Sequence, residues 1–264
     1  MQLVKLNDIH IHYKLEGPID GFPVVFANSL GTDFRVWDKL IPHLPSGLRI
    51  LRYDKRGHGL TDAPKAPYFM GDLVKDASAL MDHTGIENAL FVGLSIGGMI
   101  AQGLAAERPD LVRAMVLSDT GAKIGTEAMW QDRIDAVNSG GIEALEASIL
   151  ERWFAKSFRT ENAAELAGWR NMLCRTTVDG YTGCSKAIAD TDLYESTARL
   201  TLPTLAVAGA EDGSTPPDLV RETAELIPHS QFEVIQKAGH LPCVEQPEIL
   251  GHLITKFMKE NALV

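Results

Sequence analysis

The stretch Leu90–Gly98, reading L-F-V-G-L-S-I-G-G, most narrows what this chain can fold into. Ala89 to Val92 are apolar and read as a short buried strand. Gly93, Leu94, Ser95, Ile96 and Gly97 then spell G-x-S-x-G, and Met99–Glu107 continues with helix-forming residues. A strand that turns at once into a helix puts the corner serine on a strained turn, with its hydroxyl exposed at the top of the sheet. A side chain at Gly93 or Gly97 collides in so sharp a turn. The helix start beside Ser95 offers N–H groups and a dipole that favour developing negative charge. Ser95 is therefore the candidate nucleophile.

The rest of the chain alternates strand and helix signals around this corner. Leu3–Leu6 and Ile9–Tyr13 flank Asn7-Asp8, a hairpin signal. Pro23–Ala27 is a continuous apolar run, as expected of a strand buried on both faces. Phe34–Leu44 reads as a helix with Trp37, Leu40, Ile41 and Leu44 on one face. Arg49–Tyr53 is a strand, and Met70–Thr84 a helix ended by Gly85. Ala114–Ser118, Leu205–Ala208 and Phe232–Ile235 are further strands, and Pro217–Leu226 and Pro247–Glu260 further helices. From Gly121 to about Arg199 no buried strand appears; helical periodicity covers Met129–Val137, Ile142–Phe154 and Ala163–Leu173. The expectation is an α/β fold with a mostly parallel sheet covered by helices on both faces. Residues 1–120 and 200–264 form its core, and 121–199 a helical lid.

Composition restricts the partners. The net charge is -10, and the basic residues form no run, so nucleic acid and anionic membranes are not expected partners. An acidic protein repels small anions at long range, so an anionic substrate needs a local cation. No stretch approaches the length of a membrane span. Lys5, Asn7 and Asp8 interrupt the start, so no signal peptide is visible. Cys174, Cys184 and Cys243 have no metal-like spacing and read as reduced thiols of a cytoplasmic protein. No H-E-x-x-H, phosphate loop or dinucleotide fingerprint occurs, so neither metal nor cofactor is expected.

The order of these parts resembles the α/β-hydrolase superfamily over essentially the whole chain. The matching pieces are Asn28-Ser29-Leu30-Gly31, Asp54–Gly59 (D-K-R-G-H-G), Gly93–Gly98, Gly209–Asp212 (G-A-E-D), and Gly239-His240 followed by Glu245-Gln246-Pro247. N-S-L-G-T-D-x-x-x-W-D at Asn28–Asp38, S-T-P-P at Ser214–Pro217 and A-G-H-L-P at Ala238–Pro242 narrow it to similarity with 3-oxoadipate enol-lactonases. The resemblance implies a Ser95–His240–Asp212 triad in the superfamily's chain order. His240 is then the base that takes the Ser95 proton, and Asp212 orients the imidazole. Glu211 and Asp119 are the other acids to weigh, and His58, early in the chain, reads as structural. The amides of Leu30 and Ile96 are the expected oxyanion donors. The usual His-Gly of the superfamily is replaced here by Asn28-Ser29, which a backbone donor tolerates. Ser29 contacts substrate or satisfies its own loop.

Trp130 and Arg133 lie three apart on one helix face, which places a cation beside an aromatic for a substrate carboxylate. The other reading pairs Arg133 with Asp132 or Asp135. Trp153 is a pocket wall or lid core. By resemblance, the expected activity is opening of a small carboxylate-bearing enol-lactone in the β-ketoadipate route of aromatic catabolism. The alternatives are carboxylester hydrolysis, C–C bond hydrolysis, cofactor-free perhydrolysis, or ligand reception with little turnover.

Overall fold

The computed structural model describes residues 1–264. β1 (Gln2–Leu6) and β2 (Ile9–Glu16) pair antiparallel through Asn7 and Asp8, whose φ angles are 46° and 70°. Two successive left-handed residues make the tight turn whose twist matches its strands. β3 (Pro23–Ala27), β4 (Arg49–Tyr53), β5 (Ala89–Leu94), β6 (Val112–Ser118), β7 (Thr204–Gly209) and β8 (Gln231–Ile235) complete the sheet. Its eight strands run β1-β2-β4-β3-β5-β6-β7-β8, and every pairing from β4 to β8 is parallel. β5 and β7 are buried at every residue, which explains their unbroken apolar sequences.

The helices follow in chain order. α1 (Met70–Thr84) stops where Gly85 turns left-handed, and α2 (Ile96–Glu107) packs on β3, β5 and β6. Between β6 and β7 come α3 (Glu127–Gly140), α4 (Glu146–Trp153), α5 (Lys156–Glu161), α6 (Ala163–Cys174), α7 (Val178–Ala189) and α8 (Tyr194–Thr197). α9 (Pro217–Glu225) packs on β7 and β8, and α10 (Pro242–Glu245) and α11 (Pro247–Glu260) close the chain. No helix is long and apolar enough to cross a membrane.

Two helical expectations are corrected. Phe34–Leu44 is not one helix but two short 3-10 turns, Phe34–Trp37 and Ile41–His43. Pro42 has no N–H to donate and its ring displaces the carbonyl four residues earlier, so an α-helix cannot run through it. Ile142–Phe154 likewise divides into a 3-10 turn at Ile142–Ala144 and then α4.

The strand order places the site. β4 lies on one side of β3 and β5 on the other, so the connections leaving β3 and β4 diverge. Ligands of open α/β sheets bind in the crevice at such a reversal, beyond the carboxyl ends of the strands. Ala27 is paired with Gly93 across it, so the loop after β3 and the corner at Ser95 are neighbours. Glycine makes that closeness feasible. A Cβ on Gly97 would stand 2.0 Å from the Ala27 carbonyl oxygen, and one on Gly93 would stand 2.3 Å from the Gly97 carbonyl oxygen. Gly97→Ala should therefore force β3 and α2 apart and cost roughly 2–3 kcal/mol in urea unfolding. Unfolding within about 0.5 kcal/mol of wild type would show that the contact is not tight.

Candidate active site

Ser95 sits between β5 and α2 with φ 58° and ψ -120°, a backbone conformation rare for a side-chain-bearing residue. Neighbouring strands hold it there. Its N–H donates to the Ser118 carbonyl at 3.0 Å, and its carbonyl accepts from Thr120 Oγ1 at 2.6 Å. Ile96 is the first residue of α2, where an N–H has no partner inside the helix. Leu30, in the loop after β3, has an N–H with no hydrogen bond in the protein. Both amides thus remain available beside Ser95.

His240 follows β8 and is buried, as is Asp212 after β7. His240 Nδ1 lies 2.8 Å from Asp212 Oδ2. Thr215 Oγ1 donates to the same oxygen at 2.6 Å, and the Ser214 N–H donates to Asp212 Oδ1 at 2.7 Å. Burial opposes ionisation of Asp212, but His240 and these donors more than offset it and hold the carboxyl below the usual range. An ionised Asp212 makes Nδ1 the donor, so the neutral imidazole keeps its lone pair at Nε2. Ser29 Oγ occupies that lone pair at 3.3 Å, while Ser95 Oγ makes no hydrogen bond within the protein. Sequence reasoning left the role of Ser29 open; the structure brings its hydroxyl to the imidazole.

The other candidates fall elsewhere. Glu211 turns away and accepts the Lys156 N–H at 3.1 Å. Asp119, at the end of β6, accepts from Gly209 N–H at 2.7 Å and Ser118 Oγ at 2.7 Å. Burial, then the Asp212 charge, pushes its carboxyl well above the usual range. Asp119, Asp212 and His240 are close enough to share an ion, yet each is already engaged by protein groups. His58 accepts the Gly31 N–H at Nε2, 2.9 Å, while Nδ1 faces the Arg56 carbonyl at 3.1 Å. Burial, then the Lys55 charge, keeps its pKa well below the usual histidine value. His58 is a neutral clamp on the loop after β3.

Ser29, Leu30, Ser95, Trp130, Arg133, Trp153 and His240 line one cavity of about 160 Å³. That is below the roughly 300–1,000 Å³ of drug-sized sites, so its occupant is small. A larger cavity of about 390 Å³, around His12, Phe34 and Arg175, contains none of these groups. Arg152 and Tyr181 are among the lining residues that sequence reasoning missed. Arg133 stacks over the Trp130 ring at 4.7 Å, and Asp135 bonds to Gln131 instead. Burial and the neighbouring Arg133 charge hold Arg152 below the usual guanidinium range. Two half-buried cations therefore share this cavity, and neither has a carboxylate at ion-pair distance.

The sequence matches the α/β-hydrolase fold family over residues 23–139 and 151–247. The chain belongs to that family. It is 32% identical over 253 residues to 3-oxoadipate enol-lactonase 2 of Acinetobacter baylyi, covering 96% of this chain and 94% of that one. It is 34% identical over 246 residues to enol-lactonase 1 of the same organism, covering 93% and 92%. The crystal structure of the enol-lactonase from Burkholderia xenovorans superposes with TM-score 0.94 at 31% identity, covering 98% of this chain and all of that one.

In this α/β-hydrolase the segment Arg152–Lys156 is tied to the loops after β7 and β8. The Arg152 carbonyl accepts from Gly213 N–H at 3.2 Å, and the Trp153 carbonyl from His240 N–H at 2.8 Å. Glu245 accepts the Ala155 and Gly239 N–H groups at 2.9 and 2.7 Å. Burial outweighs these bonds and pushes the Glu245 carboxyl up to about 7. The folded state therefore binds this proton more tightly than the unfolded chain, and the associated stability fades as pH rises towards 7. Between about pH 4.5 and 7 the wild type should lose stability relative to Glu245→Gln in urea unfolding. A difference independent of pH across that window contradicts the assignment.

Proposed function

We propose that this α/β-hydrolase opens a small carboxylate-bearing enol-lactone, with 3-oxoadipate enol-lactone of the β-ketoadipate route as the reference substrate. The observation that carries the reading is one small cavity. It is lined by Ser95, the Asp212-paired His240, Leu30 with its free amide and two unpaired guanidinium groups, and the Ile96 amide follows Ser95 directly at the start of α2. The enol-lactonase relatives support the same substrate class.

Ser95 Oγ attacks the ring carbonyl once Nε2 of His240 passes from Ser29 to Ser95 and takes its proton. The tetrahedral oxyanion forms against the Leu30 and Ile96 amides. The ring C–O bond breaks, the acyl group stays on Ser95, and the enol oxygen leaves with a proton from His240. An enol oxygen leaves more readily than a plain alkoxide, and the released enol becomes a ketone. His240 then takes a proton from water, whose oxygen attacks the acyl carbon, and gives that proton to the departing Ser95 Oγ. Residues 121–199 act as the lid that brings Trp130, Arg133, Arg152 and Trp153 over the substrate.

The two arginines support a negatively charged substrate. Fixed in a partly desolvated cavity, a guanidinium binds a carboxylate with charge-assisted hydrogen bonds. Comparing a carboxylated enol-lactone with its neutral methyl ester should show kcat/KM favouring the acid. Arg133→Ala should lower kcat/KM for the acid by about tenfold to a hundredfold and leave the ester nearly unchanged. A wild-type preference for neutral esters contradicts the carboxylate-bearing substrate. A single acylation without further turnover favours a receptor.

A further inference from the structure

Lys55 is buried between the loop after β3 and α7, and the mechanism above gives it no task. Its ammonium donates to the Ser29 carbonyl at 2.6 Å and approaches the Thr32 carbonyl at 3.4 Å. No carboxylate lies within ion-pair distance of it, so this is a costly place for a cation. The Ser29 carbonyl also accepts Thr32 Oγ1 at 2.9 Å and the Thr32 N–H at 3.2 Å. This oxygen belongs to the same peptide unit as the Leu30 N–H. In a planar trans peptide the C=O and N–H point in opposite directions. A clamp behind the Ser29 oxygen therefore fixes where the Leu30 N–H is aimed, and a cation on that oxygen draws electron density from the N–H.

We infer that Lys55 is a positioning residue for the oxyanion hole: its ammonium locks and polarises the Ser29–Leu30 peptide so that the Leu30 N–H meets the developing oxyanion. The inference rests on the active-site reading above. Lys55 does not touch substrate; it acts through one peptide plane. His58 secures the next amide, Gly31, so D-K-R-G-H-G supplies both fastenings of this loop. Burial lowers the Lys55 pKa to about 8. The titratable groups around it are Cys184 on α7, Asp54 and Asp33 beside it, and His58. Burial pushes the Cys184 thiol up to about 12 and keeps His58 neutral, so neither gains or loses a proton near pH 8. A neutral amine still donates a hydrogen bond but no longer polarises the peptide, so loss of its proton lowers the acylation rate to a plateau rather than to zero.

The test is pre-steady-state acylation by an activated ester from pH 6 to 10, in wild type, Lys55→Met and Lys55→Arg. Binding of a boronic acid, which forms the tetrahedral adduct, is measured beside binding of a short keto-carboxylate. The wild-type acylation rate should step down near pH 8. Lys55→Met should acylate about tenfold to a hundredfold more slowly at pH 7, without the step, because one oxyanion donor is left misaligned. Its boronate affinity should fall in parallel while its keto-carboxylate affinity stays within about twofold, a split that general loss of structure does not produce. Lys55→Arg, charged throughout, should acylate near the wild-type rate at pH 7 and lack the step. If Lys55→Met does not fold, the wild-type and Lys55→Arg profiles decide. A step retained in Lys55→Arg, no step in the wild type, or equal loss of both ligands in a folded Lys55→Met overturns the inference. A Ser95→Ala protein that still acylates overturns the active-site reading instead.

Discussion

The hydrogen bond between His240 Nδ1 and Asp212 Oδ2 is the interaction on which the site depends. With the one ring proton of a neutral imidazole held at Nδ1, the other ring nitrogen presents a lone pair to the cavity. Everything around the bond keeps it short and dry. Thr215 and Ser214 donate to the carboxylate, Trp153 accepts the His240 amide, and Glu245 holds Gly239. These partners come from separate stretches of chain, including α4, so the imidazole is oriented by the assembled fold.

The electrostatics of the cavity run against those of the protein as a whole. The chain carries a net charge of -10, yet Arg133 and Arg152 project into the cavity and Lys55 stands behind its wall. A cation shielded from competing carboxylates keeps its field for whatever enters, because partial burial limits screening. The same arrangement raises the cost of folding there, since Arg152 and Lys55 are both held below their usual basicity by burial. Stability is spent at the site and recovered in the sheet, where β3, β5 and β7 are almost wholly apolar and buried.

Much of this was legible in the sequence because parallel strands covered on both faces announce themselves as unbroken apolar runs. The corner at Ser95 was legible because its glycines are dictated by contacts as short as Gly97 to the Ala27 carbonyl. α7 was not. It buries small residues, Gly180 against the Gly57 backbone and Gly183 against the Tyr68 ring, so close packing replaces the apolar period that signals a helix. Arg152 escaped notice because it sits beside Glu151, where a solvated pair is the ordinary reading; Glu151 instead faces Arg159. Ser29 was half legible: its place in the loop was evident, its contact with His240 was not. Lys55 was hidden within a recognised motif, since only the fold shows that its ammonium reaches the far side of a peptide facing the cavity.

Covalent capture probes the central claim most directly. The protein is mixed with the carboxylated enol-lactone, quenched in acid within milliseconds, digested and read by mass spectrometry. The account predicts one acyl group, carried by the peptide containing Ser95, and none in Ser95→Ala. An acyl group on any other residue, or lactone turnover at the wild-type rate in Ser95→Ala, would contradict it.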